Sequence, residues 1–142
     1  FASGHTDLNG GAVGQQVVKM ALGKQELSFG TALVRGILCN ILVCMAVWMA
    51  MAGRSVVDKA VAVMLPVMAF VAAGFEHSIA NMYLMPLAML VQHGASAATA
   101  LPMVTWSGVL GNWVAVILGN LLGGAVLVAG VYHVIYRRQP PA

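Results

Sequence analysis

The apolar positions of this chain fall in long blocks, and the blocks place its elements. The first block runs from about Gly30 to Ala52, with Arg35 near its start. The short polar stretch GRSVVDK follows and carries Arg54 and Lys59. From Ala60 to Tyr136 there is no Lys, Arg or Asp, and Glu76 is the one acid. The turn-rich stretch QHGASAATALP, Gln92 to Pro102, divides this region into a block over 60–92 and a block over 105–136. Each block exceeds the ~20 residues that a membrane helix requires. The pattern predicts an all-α membrane protein with three spans, a single transmembrane region over 1–142, an outer loop with a short helix over 1–29, and a tail over 137–142.

The middle block is longer than one straight span. As a single helix, Ala60 to Leu90 would measure ~45 Å against ~30 Å of hydrocarbon. Tilt or an interruption takes up the difference. Gly74, flanked by Ala72 and Ala73, is the natural position for an interruption. Breaks at membrane depth occur where the backbone is buried in protein or lines a cavity, and in transporters they mark substrate sites.

Composition adds the solvent. Of the 142 residues, 61% are hydrophobic and 8% are charged, against roughly 25% charged in soluble domains. The net charge of +3 is scattered, so no basic patch points to nucleic acid. Three crossings put Arg54, Lys59, Arg137 and Arg138 on one side, which the positive-inside rule makes cytoplasmic, C-terminus included. Lys19 and Lys24 then fall on the outer side, against the rule. Trp106, Tyr132 and Tyr136 suit interfacial belts. Ala115, Gly119 and Gly123, spaced by four, form a small-residue stripe for close helix packing. Cys39 and Cys44, five apart in an apolar block, read as small buried side chains.

The chemistry lies in AGFEHSIANM, Ala73 to Met82. An ionisable group at the centre of a span costs on the order of 3 kcal/mol or more and normally faces a bundle interior or a wet cavity. Glu76 and His77 are therefore candidate pathway residues, or else a buried polar pair that joins helices. A half-helix starting beside them presents unpaired N–H groups and a positive dipole end, which suit an anion or a weak acid. Asn81 lies four residues beyond His77, on the same face if the helix has resumed, and Asn40 sits mid-block in GILCNILVC. Each either bonds a partner helix or holds the broken segment. Phe70, seven residues before His77 and so two turns along the same helix face, is a candidate gate or a packed core aromatic. Asn120 reads as an interhelical hydrogen bond. His5 and His93 fall in loops and His133 near a membrane boundary, and no pair offers a bis-histidine haem site; no cofactor or metal is expected.

Two motifs carry a resemblance. GILCNILVCMA, Gly36 to Ala46, and GFEHSIANM, Gly74 to Met82, resemble signatures of the formate/nitrite transporter family, closest to its formate channels; NGGAVG before them and GNLLGG after them also fit. The resemblance covers the C-terminal half of a family member. It implies an aquaporin-like fold of six spans in two inverted halves, this chain supplying three, with a missing N-terminal half required to complete the pore. It also implies a homopentamer in the bacterial inner membrane. Carried onto this sequence, His77 resembles the central pore histidine, Phe70 the constriction aromatic and Lys24, in ALGKQEL, the outer-vestibule lysine. Asn40, Glu76 and Asn81 resemble the polar residues that support the histidine.

The expected function is permeation of formate or a similar small monovalent anion, with protons exchanged at His77 and no enzymatic chemistry. A nitrite or hydrosulfide channel of the same family is the near alternative. A water- or glycerol-like pore is a more distant one, set against the absence of paired Asn-Pro-Ala boxes. A membrane anchor or redox subunit would need haem or quinone ligands.

Overall fold

The structure, a computed structural model, describes residues 4–94 and 101–137. Residues 95–100 of the turn-rich stretch and those beyond Arg137, Arg138 included, lie outside the described residues. Every regular element described is helical: a 3-10 turn at His5–Asp7, then α1 (Ala12–Gln25), α2 (Phe29–Ala52), α3 (Val56–Ala72), α4 (Ser78–Gly94), α5 (Trp106–Leu121), a π-wound segment (Leu122–Ala129) and α6 (Gly130–Arg137). His5 thus lies in the 3-10 turn and His93 in the last turn of α4, where loops were expected. Two helical stretches, Phe29–Ala52 and Trp106–Arg137, are long and apolar enough to cross a membrane. Their surfaces agree: Met51 is 69% exposed and Leu121 58%, a density of bare apolar side chains that lipid or further protein must cover.

Local chemistry sets the ends. The α3 start is a capping box: the Ser55 hydroxyl accepts from the Asp58 N–H, and the Asp58 carboxylate accepts from the Ser55 N–H at 3.0 Å. The α3 end is set by Gly74, whose φ of 66° is the left-handed conformation that glycine adopts freely. The Phe75 N–H reaches back to the Phe70 carbonyl at 3.0 Å and the Gly74 N–H to Val71 at 3.1 Å. That pair of bonds is the Schellman closure of a helix C-terminus. Five residues, 73–77, separate α3 from α4.

The described residues form two compact units. The first draws on Phe1–Ala32 and Ser78–Ala115. Its core is Val18, Ala21 and Leu22 of α1 with Met85, Ala88 and Val91 of α4, closed by Val104 and Val109. The second draws on Leu33–His77 and Val116–Ala142. In it Gly119 of α5 and Gly123 of the π segment meet α2 backbone to backbone. A Cβ built at Gly119 would strike the Leu33 carbonyl oxygen, and one at Gly123 the Ile37 carbonyl. The Asn40 amide donates to the Asn120 carbonyl at 2.6 Å, two residues before the π winding begins. A side chain inserted into the helical ladder is a recognised cause of such a departure. Trp48, Tyr132 and Tyr136 stack at the far end of this packing, with Trp48 and Tyr132 ring centroids 4.1 Å apart.

Gly119→Ala should therefore force α2 and α5 apart and lower stability by about 1–3 kcal/mol. Gly111→Ala, which meets nothing within 4 Å, should be neutral or mildly stabilising. Unfolding in mixed detergent micelles measures both, and equal midpoints for the two variants would refute the close-packing account. At the α3 cap, hydrogen bonds from Ser55, its backbone N–H first, hold the Asp58 carboxyl below the usual carboxylate range. A depressed folded value means the cap's contribution is present above about pH 4 and is lost as pH falls through the folded value. Amide exchange in the first turn of α3 should quicken across that window in the parent protein, and Asp58→Asn should remove the pH step.

Candidate functional site

The interruption after α3 carries Glu76 and His77, and its polar backbone shows how it is held. The Glu76 N–H donates to the Arg35 carbonyl of α2 at 3.4 Å. The Glu76 carbonyl accepts from the Asn120 Nδ2 of α5 at 3.0 Å. The same Nδ2 donates to the Gly36 carbonyl at 3.0 Å. Asn40 in turn binds the Asn120 carbonyl, so the two asparagines link α2, α5 and the interruption. Glu76 is 2% exposed and Asn120 8%. Gly36 makes the approach possible, since a Cβ there would sit 3.0 Å from the Val116 carbonyl and 3.1 Å from the Asn120 amide.

His77 immediately precedes the first residue of α4, so it stands at a helix start rather than within a helix. The same-face relation between His77 and Asn81 therefore does not hold as drawn from helical spacing. Nor does a shared helix face join Phe70 to His77, because α3 ends at Ala72. The reversal at Gly74 nevertheless brings the two together. Their rings lie 5.9 Å apart between centroids with planes inclined by 15°, within the offset-stacked range of aromatic pairs. Both rings are half-buried.

A second polar cluster lies in the first unit and holds Lys24 and Asn81. Asn112 of α5 donates from Nδ2 to the Lys24 carbonyl at 3.0 Å, and its Oδ1 accepts from the Asn81 Nδ2 at 2.9 Å. Asn81 is fully buried and Asn112 6% exposed. Nearby, Gln25 accepts from the Thr105 N–H at 2.7 Å, and a cavity of about 250 Å³ is lined by Gln25, Ser107 and Asn112 among others. Of the six candidates, then, His77, Phe70, Glu76 and Asn40 belong to the second unit's cluster, and Lys24 and Asn81 to the first's. Asn112 was not singled out from the sequence. The available signal was an amide inside an apolar block, one of two with Asn120.

The chain is similar to known proteins over nearly all its length. The family model described as formate/nitrite transporter matches residues 1–134. Formate channel FocB of Escherichia coli (strain K12) is 44% identical over 138 residues, 90% of this chain and 49% of that protein. Formate channel FocA of the same strain is 40% identical over 149 residues, 98% of this chain and 52% of that protein. A solved pentameric formate channel with formate bound superposes with a TM-score of 0.87 at 35% identity, covering 96% of this chain and 58% of its own. An FNT family ion channel gives 0.71 at 34% identity, covering 88% and 46%. These relatives are channels and not enzymes, and the chain spans about half the length of the curated relatives it matches.

The Asn120 amide is the support of the interruption. Asn120→Leu, similar in volume, should leave buried carbonyls without that donor and lower stability by about 1–3 kcal/mol. Thermal melting of the purified protein measures the loss; an unchanged melting temperature would mean that the interruption is held by other contacts.

Proposed function

Since the chain belongs to the formate/nitrite transporter family, we propose that it forms half of a channel for formate or a similar small monovalent anion. In this reading it supplies three spans, 30–52, the interrupted 60–92 and 105–136, of a six-span aquaporin-like inverted repeat. The complete protein is a homopentamer in the bacterial inner membrane, surrounded by lipid, with its C-terminus in the cytoplasm. One solved relative, a pentameric formate channel with formate bound, supports both the assembly and the substrate class.

The observation that carries the reading is the His77 ring against the Phe70 ring at the start of α4. A bare anion crosses an apolar constriction only at high cost. An imidazole beside that constriction donates a hydrogen bond or a proton, so that the crossing species is wholly or partly the neutral acid. Lys24 draws the anion into the outer vestibule through its charge and the fields of the helix ends. Asn40 and Glu76 hold the interruption that presents His77, and Asn81 anchors the half-helix that follows it. The event is permeation with proton exchange, and no bond within the anion changes. The family's own description includes nitrite, so nitrite is the second substrate to measure.

The test is His77→Phe in the full-length protein, reconstituted in proteoliposomes and assayed for formate, nitrite and water uptake over a range of pH. Formate flux should fall at least about tenfold, a change of only about 1.4 kcal/mol in the barrier, and lose its pH dependence. Normal pH-dependent formate flux in that variant contradicts the proton role. Water flux exceeding anion flux in the parent protein contradicts the anion channel.

A further inference from the structure

Asn112 stands between two residues to which the proposed function gives separate tasks. Its Nδ2 faces the Lys24 carbonyl at 3.0 Å and its Oδ1 faces the Asn81 Nδ2 at 2.9 Å. The two contacts fix the orientation of the amide, because a flipped group would set carbonyl against carbonyl and NH2 against NH2. Lys24 lies in the last turn of α1, where helix carbonyls have lost their intrahelical partners. The Leu27 N–H also approaches the Lys24 carbonyl, at the longer distance of 3.4 Å. Asn81 lies in the first turn of α4 and is fully buried.

We infer that Asn112 is a positioning residue for anion capture: it ties the end of α1, and with it the base of the Lys24 side chain, to the first turn of α4 through Asn81. A lysine ammonium sits on a flexible four-carbon stem. Fixing the backbone beneath that stem confines the space the charge sweeps and concentrates it where an anion enters, the usual gain of preorganisation. Asn112 does not itself touch the anion in this role. Its loss weakens capture and leaves passage through the constriction alone. The inference rests on the reading of Lys24 as the vestibule cation.

Formate uptake by full-length protein in proteoliposomes, measured against formate concentration, tests it. The proteins compared are the parent, Asn112→Ala, Lys24→Ala and the double variant. Asn112→Ala should raise the half-saturating concentration about tenfold, the change one hydrogen bond can carry, with maximal flux kept within about twofold. The double variant should be no worse than Lys24→Ala alone, because removing the charge removes what Asn112 positions. An unshifted half-saturation, a loss confined to maximal flux, or effects that multiply in the double variant would each overturn the inference. Should Asn112→Ala fail to yield folded protein, Asn112→Ser, which is polar but too short to reach both partners, carries the same expectations. A parent protein that takes up neither formate nor nitrite overturns the channel reading and this inference together; one that takes up nitrite alone is compared with its variants on nitrite. Uptake by the parent with Asn112 variants unshifted overturns this inference alone.

Discussion

A helix broken among apolar neighbours must still find a partner for every backbone group it releases, and the second unit is built around that demand. The interruption at 73–77 frees N–H and carbonyl groups that a continuous helix would have paired. Some close locally, through the reversal at Gly74. The Glu76 peptide group does not. Its N–H goes to the Arg35 carbonyl and its carbonyl to the Asn120 amide, so α2 and α5 supply what the broken helix lacks.

That solution dictates the packing around it. An asparagine side chain is short, and Asn120 reaches both Glu76 and Gly36 only if α5 lies almost in contact with α2. Gly36, Gly119 and Gly123 allow it, each abutting backbone atoms of the other helix. The small-residue stripe and the buried amide are two parts of one device: the glycines set the distance and the asparagines use it. The π winding begins just beyond, where Asn40 occupies the Asn120 carbonyl.

Much of this was legible in the sequence, for physical reasons that also mark the limit. Long apolar runs announce membrane helices because lipid allows few alternatives, and the surplus length of the middle block with Gly74 inside it pointed to an interruption. Side-chain relations were less accessible. Helical spacing set Phe70 and His77 on one face, whereas the chain turns at Gly74 and brings the rings together by another route. The spacing rule cannot see a reversal. Asn112 illustrates a second limit: an amide in an apolar block must have partners, but which ones depends on which helices meet. The π winding is of the same kind, set by contacts between segments and not by local propensity.

The primary amide of Asn120 has a further implication. Such a group carries two hydrogens and no more. The Gly36 and Glu76 carbonyls claim both. Although it lies beside the residue that precedes His77, this nitrogen has no proton left to offer a passing solute. Burial of a polar group is thus no sign of affinity: an atom fully engaged by its own protein is, to a solute, as inert as a methyl group.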